Sequence, residues 1–307
     1  MADAKCAFVF PGQGSQTVGM GEDLYNAVAR VRQLYDLAGG ILGYDLASLC
    51  FTGPESELRQ TRVTQPALYL HSYALAELLQ GRGIRPDMAA GHSLGEFSAL
   101  AVAQVFTFEQ GLRFVALRGE LMQAAGEKQR GGMAAVIGLA PEAVAELCAR
   151  ARGSGVLDIA NYNSPAQLVI TGGIEPLERA MSLARERGAK RVVPLKVSGA
   201  FHSQLMAPVV EKLAEALHAC EFSPAQVPVY SNVTGDAATE ADVIKDRLIR
   251  QLVSPVQWIR SVENMISDGA MRFYEVGAGS VLSNLIRRIS RDAEAEPING
   301  WDQIDER

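Results

Sequence analysis

The chain has 307 residues, of which 48% are apolar and 21% charged, a composition typical of a soluble globular protein with a substantial core. Its formal net charge of −6 argues against binding to a nucleic-acid backbone, and no apolar stretch approaches the roughly 18 residues of a membrane-spanning helix. We therefore expect no nucleic acid and no membrane among its partners.

Four widely spaced cysteines indicate the compartment in which the protein works. Cys6, Cys50, Cys148 and Cys220 form no CxxC pair, and no cluster of histidines lies beside them. The apolar run at 6–10 is too short for the core of a signal peptide. The pattern favours free thiols in a reducing cytoplasm over a disulfide framework. We expect a cytoplasmic protein with no metal and no other cofactor.

The first part of the chain predicts strands alternating with helices. The run at 5–10 is apolar, β-prone and followed at once by Pro11-Gly12, which is typical of a buried strand entering a turn. A second, short strand is predicted at 88–90. Helices are predicted at 22–38 (ending at Gly39-Gly40), 66–79, 94–103 and 108–125.

The next segment predicts elements in the order β-α-β-β-α-β, which is the ferredoxin-like signature. Its strands are predicted at 133–139, 156–160, 167–171 and 191–197, and its helices at 141–150 and 174–187. We therefore expect a ferredoxin-like subdomain inserted at 129–197. The large catalytic subdomain would then comprise residues 1–128 and 198–307.

Beyond the insert the alternation of strands and helices resumes. Strands are predicted at 227–230 and 272–276, and helices at 208–220, 240–252, 256–267 and 280–290. The residues after Arg291 are polar and weakly patterned. Strands alternating with helices imply an α/β fold with a mainly parallel sheet in the large subdomain.

A nucleophile motif stands between a predicted strand and an apolar helix. Gly91-His92-Ser93-Leu94-Gly95 matches G-x-S-x-G, whose glycines allow a sharp turn that exposes the serine hydroxyl. The helix that follows would direct free N–H groups at a developing oxyanion. The alternative is a serine that only caps the helix. The strand–turn–helix context favours Ser93 as a nucleophile.

A serine nucleophile needs a neighbouring base, and the chain has four histidines. His71 lies inside a predicted helix, His92 is sequence-adjacent to the serine and faces away from it, and His218 lies at a predicted helix end. His202 lies in the flexible loop 198–203, where the chain returns from the insert. Its position makes it the preferred candidate, although it could simply begin a helix.

The loop after the first strand, PGQGSQ, is a candidate for an oxyanion contact. No Gly-Lys-Ser/Thr follows, so it is not a Walker A phosphate loop. Thr17 stands where the dinucleotide-binding fingerprint needs its third glycine. A tight turn at a strand end remains, and sites in α/β sheets lie there. Gln13 is its candidate donor.

Arg118 lacks an acidic partner on its own predicted helix. All four of its neighbours at helical spacing are apolar: Phe114, Val115, Leu121 and Met122. A guanidinium is costly to bury without an anion. Arg118 could extend to water, or the carboxylate of a ligand could pair with it.

Ordered motifs along residues 5–290 carry a resemblance to a known family. They are FVFPGQGSQ, TQPAL, GHSLGE, ALRG, NYNSP, GAFHS, SNVTG, QLVSPVQW and EVGAGSVLSNLIRRI. The chain resembles the acyltransferase family of fatty-acid and polyketide synthesis, in its free-standing bacterial form. The resemblance implies an α/β-hydrolase-like subdomain with a ferredoxin-like insert.

The resemblance also implies a reaction. A malonyl group would pass from malonyl-CoA to the phosphopantetheine thiol of acyl carrier protein, for fatty-acid or polyketide synthesis. Ser93 would be the acylated nucleophile and His202 its general base and acid. Gln13 and the backbone N–H of Leu94 would contact the oxyanion.

Four further residues receive roles from the same resemblance. Arg118 would bind the free carboxylate of malonyl. The backbone carbonyl of Gln251 would orient His202 in place of a third triad residue. Gln65 and Asn163 would line the pocket.

The sequence is also compatible with other functions. An editing serine hydrolase would deliver the acyl group to water, and a related acyltransferase would use another acyl-CoA. A non-catalytic module that docks a carrier protein would need no nucleophile and no base. Arg118, Ser93 and His202 together favour acyl transfer.

Two positions depart from the family's usual pattern, and three arginines are candidates for carrier contacts. Ala278 stands where proline is common, and Ser280 where lysine is common. An acidic carrier protein would need a local basic patch, for which Arg287, Arg288 and Arg291 are candidates.

Overall fold

The computed structural model describes residues 5–306 and divides them between two β-sheets. In chain order the strands are β1 (Lys5–Phe10), β2 (Met88–Gly91), β3 (Gly131–Ile137), β4 (Leu157–Ser164), β5 (Gln167–Gly173), β6 (Arg191–Pro194), β7 (Val229–Tyr230), β8 (Ala237–Ala238), β9 (Ala270–Val276) and β10 (Glu294–Ile298). Residues 1–4 and 307, the ends of the predicted large subdomain, lie outside the described residues.

Helices cover both sheets. In chain order they are α1 (Glu22–Ala27), α2 (Ala29–Leu42), α3 (Leu46–Phe51), α4 (Glu55–Leu58), α5 (Thr61–Gly81), α6 (Gly95–Val102), α7 (Phe108–Lys128), α8 (Pro141–Arg152), α9 (Ile174–Glu186), α10 (Ala207–His218), α11 (Ala241–Arg250), α12 (Trp258–Ser267), α13 (Val281–Ile289) and α14 (Asp302–Asp305). Single 3-10 turns lie at Gln204–Met206 and Gln251–Val253. Among the described residues, no helix is long and apolar enough to cross a membrane.

The large sheet has the strand order β10-β9-β1-β2-β7-β8, and its first five strands run parallel. The central strand β1 shows why this sheet needs helices on both faces. Phe8 and Phe10 enter one apolar cluster, while Ala7 and Val9 enter another on the opposite face. A strand buried on both faces reads as a continuous apolar run. The predicted α/β fold with a mainly parallel sheet is confirmed.

The small sheet has the order β4-β5-β3-β6, and all neighbouring strands are antiparallel. Helices α8 and α9 pack on one face, around Ala134, Leu147 and Ile170. The element order β-α-β-β-α-β and this strand order are those of a ferredoxin-like unit, so the predicted insert is confirmed as a fold. Its sheet runs from Gly131 to Pro194; the boundary at 129–197 stays a prediction.

One predicted helix was wrong in its limits. The pattern at 22–38 forms two helices separated at Val28, whose backbone is extended (φ −122°, ψ 118°). The second helix continues through Gly39-Gly40 and ends at Gly43 (φ 75°), whose N–H donates to the Gly39 carbonyl. A glycine in the left-handed region stops a helix, whereas a glycine pair inside one is tolerated when an apolar face is buried.

The weakly patterned tail after Arg291 is in fact structured. Its strand β10 pairs in parallel with β9 and buries Ala295 and Ile298 at the edge of the large sheet. Pro297 is accommodated because an edge strand leaves one row of N–H groups unpaired. The alternation is too short and too polar to stand out in the sequence.

Candidate active site

The candidate nucleophile stands on a strained turn between β2 and α6. Ser93 has φ 53°, in the left-handed region that side chains rarely adopt, at a cost of about 1–3 kcal/mol. The turn is closed so tightly that a Cβ on Gly91 would lie 1.9 Å from the Gly95 carbonyl carbon. A Cβ on Gly95 would lie 2.0 Å from the Phe10 carbonyl oxygen. Both glycines of the motif are therefore required by backbone contact.

Asn232, which the sequence analysis did not single out, holds this turn from the loop that follows β7. Its Oδ1 accepts a hydrogen bond from the Ser93 backbone N–H (2.6 Å), and its Nδ2 donates to the Gly91 carbonyl (2.6 Å). It is 1% exposed. A polar residue two positions after the strand predicted at 227–230, inside the SNVTG motif, was the available signal. Its side chain thus ties the two ends of the turn together.

The candidate base lies against the nucleophile. His202 Nε2 is 2.8 Å from Ser93 Oγ, and His202 Nδ1 is 3.0 Å from the Gln251 carbonyl and 3.1 Å from the Ser254 carbonyl. A carbonyl only accepts, so Nδ1 carries the hydrogen and Nε2 is left to accept the serine proton. Burial, and secondly the charge of Arg118, lower the pKa of His202 to about 3. The ring is therefore neutral at pH 7.

The other three histidines have different surroundings. His92 Nε2 lies 2.8 Å from Asn163 Oδ1, so this pair joins the elbow to strand β4 of the small subdomain. His71 is buried in α5 and His218 is exposed at the last residue of α10. The structure thus brings Asn163 to His92 rather than to the serine.

Arg118 is the charged group nearest to the nucleophile. It is 1% exposed, so it does not extend to water. Its Nη2 donates to Ser93 Oγ (3.0 Å) and to Gln251 Oε1 (2.9 Å), and its Nη1 donates to Gln65 Oε1 (2.9 Å). The guanidinium also lies 5.6 Å from the centre of the Phe97 ring.

The guanidinium stays charged although it is buried. Burial lowers the pKa of Arg118 to about 10, and the carboxylate of Glu96 acts against that shift. Within the described part of the chain, its Nε hydrogen finds no acceptor. A cation so held, 3.0 Å from the serine oxygen, is ready to pair with an anionic group on an acyl chain.

The first loop lies against the back of the elbow. A Cβ on Gly12 would lie 2.5 Å from the His92 carbonyl oxygen. Gln13 follows directly, and its side-chain amide donates to Thr61 Oγ1 (3.2 Å) at the start of α5. Leu94 lies between Ser93 and the first turn of α6, with helical backbone angles (φ −52°, ψ −41°).

A cleft of about 530 Å³ opens beside His202, between the two subdomains. The large subdomain contributes residues near 202–204 and 253–255, and the small subdomain contributes one face of α8 and β4. The small-subdomain residues are Ala145, Cys148, Arg152, Asp158, Ile159 and Tyr162. Among the described residues, no group of three or more His, Cys, Asp or Glu side chains could hold a metal ion.

Comparison with known proteins identifies the family. A family model for the acyl transferase domain matches residues 7–300. The chain is 45% identical over 289 residues to the malonyl CoA-acyl carrier protein transacylase of Bacillus subtilis (strain 168), covering 94% of this chain and 91% of that protein. It is 46% identical over 294 residues to the Escherichia coli (strain K12) protein of the same name, covering 95% of each.

Solved structures agree over nearly the whole chain. An acyl carrier protein S-malonyltransferase from Vibrio cholerae superposes with a TM-score of 0.95 at 46% identity, covering 99% of both chains. A malonyl-transacylase in complex with its type II PKS acyl-carrier protein gives the same TM-score at 42% identity, covering 98% of both. The resemblance inferred from the ordered motifs is confirmed, and the chain belongs to the acyl transferase family.

Proposed function

We propose that this enzyme transfers the malonyl group from malonyl-CoA to the phosphopantetheine thiol of an acyl carrier protein. The observation that carries the proposal is the buried guanidinium of Arg118, 3.0 Å from the hydroxyl of a serine that also contacts a neutral histidine. A thioester carbonyl placed on Ser93 would bring the carboxylate of malonyl to that cation. Relatives named for this reaction, including one solved with its carrier protein, support the same substrates.

In the first half-reaction Ser93 Oγ attacks the thioester carbonyl while its proton passes to His202 Nε2. The tetrahedral oxyanion is stabilised by the backbone N–H of Leu94 and by Gln13, in the loop that follows β1. The carbon–sulfur bond then breaks, and His202 returns the proton to the departing CoA thiolate. The product is a malonyl ester on Ser93.

In the second half-reaction the carrier thiol takes the place of CoA. His202 removes its proton, the thiolate attacks the ester, and Ser93 leaves with that proton. CoA leaves before the carrier thiol reacts, and the malonyl ester on Ser93 links the two halves, so ping-pong kinetics are expected. Each half ends with a neutral histidine. The carbonyls of Gln251 and Ser254 keep the ring in the tautomer that both halves need.

Arg118 makes the site selective for carboxylated acyl groups. Gln65 and Gln251 hold one Nη each, so the guanidinium presents a fixed donor set beside Ser93. A charge-assisted contact of this kind contributes about 1.5–3 kcal/mol, or roughly ten- to a hundredfold in relative rate. Acetyl offers no acceptor and leaves the buried charge unpaired. Asn163 supports the pocket wall through His92.

We also place the enzyme in the cytoplasm. Its four cysteines are free thiols, and two of them, Cys50 and Cys148, are buried. Burial raises the pKa of each of these two to about 12, so they are protonated and unreactive at neutral pH. Cell fractionation with detection of the native chain tests this location.

The test of the function is acyl-enzyme mass spectrometry followed by carrier addition. Wild type incubated with malonyl-CoA should gain one malonyl group on Ser93, lose it to a holo carrier protein, and gain far less acetyl from acetyl-CoA. Ser93→Ala should gain none, and Arg118→Ala should lose the preference for malonyl. A malonyl adduct on Ser93→Ala would remove the assignment of the nucleophile. If the adduct is lost to water as fast as to the carrier, the result would favour the alternative that the enzyme is a hydrolase.

A further inference from the structure

A buried carboxylate lies beneath the nucleophile and takes no part in the reaction proposed above. Glu96 is 3% exposed in the first turn of α6, three residues after Ser93. Its Oε2 accepts hydrogen bonds from Gln251 Nε2 (2.6 Å) and from the backbone N–H of Asn232 (3.2 Å). A buried carboxylate is costly unless it is paired or stabilises something specific.

Gln251 connects this carboxylate to the candidate substrate-binding cation. Its Nε2 donates to Glu96 Oε2 (2.6 Å) and to the Ser93 carbonyl (2.9 Å), while its Oε1 accepts from Arg118 Nη2 (2.9 Å). A carboxylate only accepts and a guanidinium only donates, so chemistry permits a single orientation of the amide. Glu96, together with the Ser93 carbonyl, therefore holds the Nε2 end of the amide and leaves Oε1 facing Arg118.

The nitrogen held by Gln251 is the one that reaches the nucleophile. Arg118 Nη2 contacts both Gln251 Oε1 and Ser93 Oγ, whereas Nη1 contacts Gln65. If the amide of Gln251 turned over, it would present an N–H to the guanidinium. The cation would then be pushed away from the place where an acyl carboxylate would lie.

We propose that Glu96 is a positioning residue for Arg118, acting through the side-chain amide of Gln251, and that it thereby sets the preference for carboxylated acyl groups. The inference rests on the proposed function, in which Arg118 binds the malonyl carboxylate. It gives Gln251 two separable tasks. Its backbone carbonyl orients His202, and its side-chain amide forms a hydrogen-bonded bridge from Glu96 to Arg118.

The ionisation of Glu96 supports this role. Burial raises its pKa to about 7, while hydrogen bonds from Gln251, Asn232 and Ser231 and the charge of Arg118 act in the opposite direction. Among the described residues packed against Glu96, Arg118 is the one charged group that shifts its pKa. Gln251, Asn232 and Ser231 are neutral hydrogen-bond donors. Protonation below pH 7 should therefore weaken the positioning of Arg118.

The experiment compares kcat/KM for acylation by malonyl-CoA and by acetyl-CoA in wild type, Glu96→Gln and Arg118→Ala. Glu96→Gln keeps the shape and one acceptor but removes the charge. We expect its malonyl-to-acetyl ratio to fall about tenfold, less than in Arg118→Ala. In wild type the ratio should fall as the pH drops from 8 to 6, whereas in Glu96→Gln it should not change with pH.

Three further variants separate positioning from simple support of the fold. Gln251→Met keeps the backbone carbonyl for His202 but removes the amide, so it should lower the ratio as Glu96→Gln does. In the double variant the two effects should not add, because both act on one connection. Glu275→Gln is the matched control: it removes another buried carboxylate, which accepts from the backbone N–H groups of Leu282 and Ser283. It should leave the ratio and its pH dependence unchanged.

The possible results are distinguishable. If Arg118→Ala leaves the ratio unchanged, the assignment of the substrate contact fails, and this inference fails with it. If Arg118→Ala lowers the ratio but Glu96→Gln does not, only the inference fails. Equal losses with malonyl-CoA and acetyl-CoA in Glu96→Gln would also overturn it, because Glu96 would then merely support the elbow. If Glu96→Gln is too unstable to assay, the wild-type protein decides: a malonyl-to-acetyl ratio that does not fall between pH 8 and pH 6 overturns the inference.

Discussion

His202, the proposed base, is oriented by two carbonyl groups instead of a carboxylate. Neutral partners stabilise an imidazolium less than an Asp would, and the nearby charge of Arg118 opposes it further. The pKa of about 3 means that the ring is unprotonated throughout the pH range in which a cell works. The base is always available, and the cost appears as a less stable imidazolium during each half-reaction.

This geometry makes a prediction about rate and pH. His202→Ala should lower the rate of acylation by malonyl-CoA at least about a hundredfold, the usual scale of general-base catalysis. His218→Ala, at an exposed helix end, is the control and should have no effect. In Glu96→Gln, stopped-flow acylation should stay flat from pH 8 to pH 5. A decline centred near pH 6.5 there would show that the histidine titrates normally and that its pKa is not lowered.

Some site residues are marked by the sequence around them, whereas others are marked only by contacts with distant parts of the chain. Ser93 could be nominated because a five-residue motif stands between a strand and a helix. Arg118 could be nominated because its helical neighbours are apolar. Asn232 lies in the SNVTG motif and Glu96 in GHSLGE, but these positions do not indicate their partners, which lie up to 155 residues away along the chain. These contacts form only when β2, β7 and the turn at 251–253 come together in the folded protein.

At the scale of elements, the elbow depends on backbone contacts that only glycine allows. Gly95→Ala would place a methyl group 2.0 Å from the Phe10 carbonyl, which must displace β1 or α6. We expect a loss of about 1–3 kcal/mol or more in the free energy of unfolding, together with loss of acylation. Urea unfolding of the purified variant, read by circular dichroism, measures the first quantity.

Gly40→Ala is the matched control for this substitution. Gly40 lies inside α2 with a helical backbone and no atom within 4 Å of an added Cβ. Alanine there should stabilise the protein by up to about 1 kcal/mol, because it is the better helix former. A Gly95→Ala protein as stable as wild type would contradict the contacts that close the elbow.

The strengths and limits of prediction at this scale have one physical origin. Strand β1 and helix α7 are long or strongly apolar, so their patterns are unambiguous. The break at Val28 and the edge strand β10 depend on packing against distant elements, which overrides local preference. Helix and strand existence was therefore predictable for most of the chain, whereas limits and short edge elements were not.

At the scale of the whole molecule, the insert and the large subdomain meet at the site. Asn161 in β4 forms a parallel bridge with Val256, and Asn163 contacts His92. The sequence order β-α-β-β-α-β was enough to predict the insert. It could not predict that strand β4 would form one wall of the cleft beside His202, because that depends on how the two subdomains pack.

Three histidines, His71, His92 and His202, are desolvated by burial in the folded protein, which affects how stability depends on pH. His71 is 1% exposed, and burial lowers its pKa to about 4, opposed by Asp23 and by the Asn299 carbonyl. Between its unfolded value of 6.5 and about 4, the unfolded chain binds a proton that the folded chain does not. The free energy of unfolding should thus fall as the pH drops through this range, by up to about 1.4 kcal/mol per pH unit for this one group. Burial lowers the pKa of His92 and His202 as well, so their contributions have the same sign.

Glu96 contributes with the opposite sign, because its pKa is raised from 4.5 to about 7 and its folded form holds the extra proton. Three histidines against one carboxylate leave a net loss of stability on acidification from pH 6.5 to pH 5.

We therefore predict that the urea midpoint of wild type falls over this interval. His71→Gln should reduce the slope of the free energy of unfolding against pH by the contribution of about one proton. His218→Gln, at the exposed end of α10, should leave that slope unchanged. His71 lies outside the proposed catalytic machinery, so the flattening can be measured without loss of acylation activity. An identical slope in wild type and His71→Gln would show that His71 is protonated in the folded protein, contrary to its burial.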